Sequence, residues 1–142
     1  VIDSVQEVDI DSYDNLYVCG QKQGSPIAVF NDNNTFICQI PNSSSSDAGW
    51  FVKINADKTY SNCYGYVNSS SSDSTTRIKL NNDNSFFVTG IANAGVPRSN
   101  GDLYIYDKNS YATTLNIIDS YIASYGYIIK YNSNFTINKI SI

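Results

Sequence analysis

The sequence lacks histidine and methionine altogether, and its 142 residues include only nine basic and thirteen acidic ones. Without histidine, the commonest general base and a frequent metal ligand at neutral pH are missing. The net charge of −4, with no cluster of Lys or Arg, argues against a nucleic-acid partner. No apolar run approaches the roughly 20 residues that span a bilayer as a helix. We therefore expect no cofactor, no metal, no nucleic-acid partner and no membrane span.

Cysteine is also scarce, because the chain contains only Cys19, Cys38 and Cys63. None of the three lies in C-x-x-C spacing, which argues against a zinc site. They allow three alternative single disulfides, each leaving one thiol over, and the sequence does not choose among them. Buried thiols that pack as small apolar side chains are the simpler interpretation.

Aromatic and turn-forming residues, in contrast, are plentiful: the chain has 12 Tyr, 6 Phe and 18 Asn. Strand formers separated by turn formers predict an all-β fold. The sequence begins at Val1 without an initiator methionine or a signal-peptide pattern. We therefore expect it to be a fragment of a longer protein.

The sequence repeats itself. Residues 8–20 align without a gap with residues 78–90, and residues 49–55 align with residues 126–132. The first match is an apolar stretch, a polar Asn/Asp turn and a second apolar stretch, which is typical of a β-hairpin. The second match is followed by another polar turn and another strand-like run. Each repeat therefore predicts two hairpins, that is, four antiparallel strands, as in a propeller blade.

The central strands of both repeats are apolar without alternation, as in Trp50-Phe51-Val52 and Phe86-Phe87-Val88. A strand with one solvated face alternates apolar and polar residues, whereas a strand covered on both faces reads as a continuous apolar run. Propeller blades are covered on both faces by their neighbours. A free-standing two-sheet sandwich is the alternative fold.

The segment Asp47 to Asp57, DAGWFVKINAD, resembles the repeat of the bacterial seven-bladed β-propeller family, as does Val8 to Gly20, VDIDSYDNLYVCG. The second copy is looser, because Tyr125-Gly126 replaces the Asp-Ala pair and Asn134 stands in place of Asp57. Similar repeats occur in large DNA viruses of amoebae. The resemblance covers nearly the whole chain and implies a propeller fold, but it implies no catalytic residues.

We divide the chain into two propeller blades, residues 1–68 with an insert at 21–48 and residues 69–142 with an insert at 91–125. Each insert lies between the second and third strands of its blade and is expected to form a small hairpin. Two blades do not close a ring, because each repeat buries its faces only against neighbours. We therefore expect the partners to be other propeller blades, in the same longer chain or in other copies.

The inserts are the expected binding region, since long loops on a rigid scaffold often carry function. Four tyrosines of the second insert have rings that suit stacking on sugars, although packing within the hairpin explains them more simply: Tyr104, Tyr106, Tyr111 and Tyr121. Four N-x-Ser/Thr sequons are possible glycosylation sites: Asn33, Asn42, Asn68 and Asn134.

Two further features have structural explanations. Residues 9–14 carry carboxylates spaced a little like a calcium loop, but the glycine and the distal glutamate of an EF-hand are missing, so turn formation is the better interpretation. Lys53 and Lys130 occupy equivalent positions, which indicates repeat architecture rather than a catalytic pair.

These features predict a structural or interaction module, part of a β-propeller on a secreted, cell or virion surface, that binds protein or glycan through its loop face. We expect no enzymatic activity. The alternative is part of a propeller glycosidase or lyase, whose paired carboxylates converge on the central channel. Asp9 and Asp11 suit that role, but Lys79 and Asn81 replace them in the second repeat. In that case the catalytic residues lie mostly outside this segment.

Overall fold

The computed structural model describes residues 4–23, 27–30, 33–34, 36–40, 48–57, 60–68, 74–93, 101–106, 113–117 and 124–142. These residues form twelve β-strands and no helix. The strands are β1 (Ser4–Ile10), β2 (Leu16–Lys22), β3 (Ile27–Phe30), β4 (Phe36–Ile40), β5 (Ala48–Ile54), β6 (Tyr60–Asn68), β7 (Ser74–Leu80), β8 (Phe86–Asn93), β9 (Gly101–Tyr106), β10 (Thr113–Ile117), β11 (Ser124–Tyr131) and β12 (Ile137–Ser141). The described residues thus include no helix long and apolar enough to cross a membrane.

The described strands pair antiparallel in three groups. The first sheet has the order β1-β2-β5-β6-β9-β10, the second sheet has the order β12-β11-β8-β7, and β3 pairs with β4 alone. The predicted all-β fold is confirmed. Each insert contains a hairpin, β3-β4 or β9-β10. The pairing of β9 with β6, which extends the first sheet, has no counterpart in the sequence prediction.

The first three strands of each repeat share one register. Gly20 lies opposite Trp50, and Gly90 lies opposite Tyr127, which is the equivalent pair in the second repeat. A β-bulge falls between Val5 and Glu7 in β1 and at the equivalent place in β7. A bulge bends its strand and increases the local twist. The two sheets therefore bend at the same point along their first strands.

Three hairpin turns also share one geometry, in which the first residue donates its N–H to the carbonyl of the fifth. The fourth residue donates its N–H to the carbonyl of the first and has a positive φ. These fourth residues are Asp14 (φ 61°), Asn84 (φ 60°) and Phe135 (φ 64°). Asp and Asn tolerate this left-handed conformation, whereas Phe seldom adopts it. Phe135 is fully buried, so its strained backbone places an aromatic ring in the core.

The core lies between the two sheets and is largely aromatic. Tyr17 and Phe51 of the first sheet pack against Phe86, Tyr131 and Phe135, with ring centroids 4.6–6.0 Å apart within this cluster. All five are fully buried. Such offset and tilted pairs contribute about 0.5–1.5 kcal/mol each beyond the burial of their apolar area. Five aromatic rings of the described residues therefore lie where the two repeats meet.

Antiparallel pairing also sorts the connections between two ends of the sheets. The short turns β1–β2, β5–β6, β7–β8 and β11–β12 lie at one end, which we call the turn end. At the opposite end, the insertion end, β2, β6 and β8 end and β5, β7 and β11 begin.

Candidate functional site

Two acidic side chains of β1 bind the exposed edge of β7. Glu7 accepts hydrogen bonds from the N–H of Ile78 at 2.9 Å and from Nη1 of Arg77 at 3.0 Å. Asp9 accepts one from the N–H of Leu80 at 3.0 Å, and its Oδ2 lies 3.3 Å from Nζ of Lys79. Because β7 is the last strand of its sheet, these N–H groups have no partner strand. The two carboxylates accept the hydrogen bonds that a neighbouring strand would otherwise accept.

The same contact affects the titration of Asp9. Partial burial raises the pKa of this carboxyl, but hydrogen bonds from the N–H groups of Leu80 and Ile10 and from Lys79 together outweigh it. The pKa of Asp9 therefore lies below its ordinary value. A general acid for glycoside cleavage needs a raised pKa. Asp9 is thus suited to holding the two repeats together rather than to delivering a proton.

The paired charges occupy equivalent positions of the two repeats. Residues 8–20 align with residues 78–90, so Glu7 corresponds to Arg77 and Asp9 corresponds to Lys79. Each ion pair therefore joins a residue to its own repeat equivalent. This pairing was not predicted from the sequence. The reversal of charge sign at two aligned positions is the sequence signal that could have indicated it.

Asp11, the other carboxylate considered for calcium or catalysis, maintains its own turn. Its Oδ1 accepts the N–H of Tyr13 at 2.9 Å and the N–H of Asn15 at 3.0 Å. Its Oδ2 accepts from Nδ2 of Asn15 at 2.9 Å. Burial raises the pKa of Asp11, but these bonds lower it by more, leaving it below its ordinary value. Among the described residues, no group of three or more His, Cys, Asp or Glu is placed to hold a metal ion.

Cys19 is a free thiol in the core. Burial, followed by the negative charge of Glu7, raises the pKa of this thiol to about 12. Since the thiolate is the reactive form, Cys19 is chemically inert at neutral pH. The side chains of Cys38 and Cys63 lie outside the described part of the chain.

The tyrosines predicted to bind are only partly within the described residues. Tyr104 and Tyr106 belong to β9, where the backbone register sets them opposite Asn68 and Tyr66 of β6. Tyr111 and Tyr121 lie outside the described residues. The placement of β9 beside β6 brings the second insert next to the strand that leaves the first repeat.

Two of the four predicted glycosylation sites are exposed in the structure, Asn33 and Asn134. Asn134 accepts the N–H of Thr136 at 3.1 Å within the third turn. Asn68 is the last residue of β6, and its side chain lies outside those that are described, as does the whole of Asn42.

Lys53 and Lys130 make the same contact in the two repeats. Nζ of Lys53 lies 5.5 Å from the ring centroid of Tyr17, and Nζ of Lys130 lies 5.7 Å from that of Phe87. Phe87 is the repeat equivalent of Tyr17. Cation–π contacts at exposed sites contribute about 0.5–1 kcal/mol each. They support the interpretation of the two lysines as repeat architecture.

Each sheet also has an outer face, turned away from the core. The outer face of the first sheet exposes Val5, Val8, Ile10 and Leu16 on β1 and β2, whereas Trp50 and Val52 on the β5 part of the same face are buried. The outer face of the second sheet exposes Ile91 and Ile128. A groove of about 300 Å³ on this second outer face is lined by Phe87, Ile128, Lys130, Lys139 and Ser141.

No protein-family model matches the chain, and neither a curated protein nor a solved structure shows significant similarity to it.

Proposed function

We propose that the chain is a structural or interaction module, built from two β-propeller blades, that acts on a secreted, cell or virion surface. The observation that carries the proposal is the shared register of the first three strands in two antiparallel units, β1-β2-β5 and β7-β8-β11, each of which continues into a fourth antiparallel strand, β6 or β12. Four-stranded antiparallel sheets that stack face to face are the building unit of propellers. The remaining blades belong to the same longer polypeptide or to other copies.

The insertion end is the proposed contact surface for protein or glycan. The strands that lead into both inserts and into the link between the repeats end at this end, whereas three of the short turns at the turn end are closed by their own hydrogen bonds. Loops on a rigid sheet scaffold are the usual carriers of recognition. Tyrosines of the second insert, Tyr104 and Tyr106 among them, are the proposed stacking residues for sugar rings.

A panel of immobilised oligosaccharides tests this proposal directly. The chain is expected to bind a subset of the panel, and the double variant Tyr104→Ala/Tyr106→Ala is expected to lose at least tenfold in affinity. The matched control is Tyr13→Ala, which removes an exposed tyrosine at the turn end and should leave binding unchanged. Equal loss in the control and in the double variant, or no binding to any sugar or to surface protein of a host cell, overturns the assignment of the insertion end.

A further inference from the structure

The contact between the two repeats uses two different faces. We call the side of a repeat that carries Tyr17 and Phe51 in the first sheet face A, and the opposite side, which carries Val8 and Leu16, face B. Face A of the first repeat packs on face B of the second, where Ile78 and Phe86 lie. A contact between unlike faces is heterologous, so it leaves one face of each kind outside the contact. We call these two the free faces; on face B of the first repeat the exposed part is formed by β1 and β2, because Trp50 and Val52 of β5 are buried.

The free faces are equivalent to the two faces that are already in contact. Val8 on the free face B is 55% exposed, while its equivalent Ile78 is 1% exposed. Ile128 on the free face A is 50% exposed, while its equivalent Phe51 is fully buried. Val5 and Leu16 are likewise exposed, whereas their equivalents Thr75 and Phe86 are fully buried. Each exposed residue thus lies where the other repeat buries its counterpart against a sheet.

We infer that the free face A of one copy of this chain binds the free face B of a second copy, head to tail. Along β1 and β2 of the receiving copy, the contact repeats the packing inside the molecule: Phe87 and Ile128 of one copy take the places of Tyr17 and Phe51, and Val8 and Leu16 of the next take the places of Ile78 and Phe86. The inference rests on the proposed function only in that both treat the repeats as stackable blades.

Charge supports this orientation. The equivalence sets Arg77 and Lys79 of one copy at the edge of the first sheet of the next, where Glu7 and Asp9 lie. The Arg77 and Lys79 side chains are 72% and 78% exposed and thus accessible to a second copy. Basic side chains do not accept hydrogen bonds. Within the chain, Glu7 accepts the N–H of Ile78; between copies, Arg77 takes the place of Glu7 and Val8 takes the place of Ile78. The N–H of Val8 therefore has no carboxylate to bind, and the contact between copies is weaker than the one within the chain.

The test measures self-association of the complete chain by sedimentation and light scattering between about 1 and 500 µM, a range that covers weak protein association. The wild type is expected to form species larger than the monomer at the upper end of this range. Val8→Asp blocks face B and Ile128→Asp blocks face A, and each alone is expected to weaken association at least tenfold. Both positions are exposed, so the variants should fold, as circular dichroism will verify. The control Tyr13→Asp, outside both faces, should associate like the wild type.

Mixing the two blocked variants gives the decisive result. Val8→Asp retains a free face A and Ile128→Asp retains a free face B, so an equimolar mixture is expected to form dimers, but nothing larger. A monomeric wild type at 500 µM overturns the inference, and so does a mixture that stays monomeric while the wild type associates. Sugar binding measured on monomeric Val8→Asp tests the proposed function separately, because the insertion end is intact in that variant.

Discussion

Asp9 and Leu80 are joined by a hydrogen bond of 3.0 Å from the backbone N–H of Leu80 to Oδ2 of Asp9. The two residues lie on the edge strands of different sheets, so the bond spans the contact between the repeats. Oδ1 of the same carboxylate accepts the N–H of Ile10, which is the repeat equivalent of Leu80. One carboxylate thus binds the same backbone position in both repeats and fixes their relative position along the strands.

The substitution Asp9→Asn should lower the free energy of unfolding by about 1 kcal/mol, because it removes the charge but keeps one oxygen acceptor. Urea denaturation measures the effect. The matched control is Asp14→Asn, which removes the same charge from an exposed turn position whose positive φ suits Asn. Equal losses in the two variants would show that net charge, and not the bond to Leu80, is responsible.

Stability should fall in acid. The pKa values of Asp9 and Asp11 are lowered in the folded chain, whereas the unfolded chain titrates at the ordinary value of about 3.9. The unfolded state therefore binds more protons between these values, so the stabilisation is complete above about pH 5 and is lost as pH falls through the lowered pKa values. Urea midpoints measured from pH 6 to pH 2.5 should decline less steeply for Asp9→Asn than for the wild type. Parallel curves would contradict this account.

Gly20 should not tolerate a side chain. A Cβ at this position would collide with the carbonyl oxygen of Ser4 and lie 2.9 Å from Cζ2 of Trp50. Gly20→Ala should therefore cost about 1–3 kcal/mol, the range for overpacking. Gly126→Ala is the control, since a Cβ there meets only the carbonyl oxygen of Gly90 at 3.9 Å, and its effect should stay within about 0.5 kcal/mol. Thermal melts of the two variants decide the matter, and equal shifts would refute the collision.

At Phe135 the usual ranking of alanine and glycine should be reversed. Both substitutions lose the buried ring, at about 3–5 kcal/mol. Glycine, however, adopts the φ of 64° freely, whereas alanine keeps a strain of about 1–2 kcal/mol. Phe135→Gly should therefore be about 1 kcal/mol more stable than Phe135→Ala. At Phe51, a buried strand position, alanine should be the more stable variant, as in other strands. A glycine variant less stable than alanine at both positions would contradict the argument.

Local features of the fold were predictable from the sequence. The apolar runs and the Asn/Asp turns gave the central strands and hairpins of both repeats, because strand and turn preferences are local. Gly20 and Gly90 occupy aligned positions opposite the bulges, and a glycine within a strand often marks a bulge. The two glycines were therefore a signal for irregular pairing that the sequence prediction left out. The pairing of Tyr106 with Tyr66 was not predictable, because it joins strands far apart in sequence that carry no mark of each other.

The candidate site was less predictable than the fold. The turn predicted for residues 9–14 is confirmed by the bonds of Asp11 to Tyr13 and Asn15, whereas the bond from the N–H of Leu80 to Asp9 was not predictable, because it joins a side chain to the backbone of a distant strand. Phe135 gave no signal for its left-handed backbone, because Phe is not a typical turn residue, and the burial of its ring in the core depends on the tertiary fold. The proposed binding role of Tyr104, Tyr106, Tyr111 and Tyr121 remains a prediction.

The sign reversal between the two repeats also bears on misassembly. Repeats of similar sequence risk exchanging places, within one chain or between two chains that fold side by side. Here the first repeat carries Glu7 and Asp9 where the second carries Arg77 and Lys79. Two first repeats brought together would oppose carboxylates, and two second repeats would oppose cations. Only unlike repeats are electrostatically compatible, so the same four charges that fasten the molecule also encode the order in which its halves can combine.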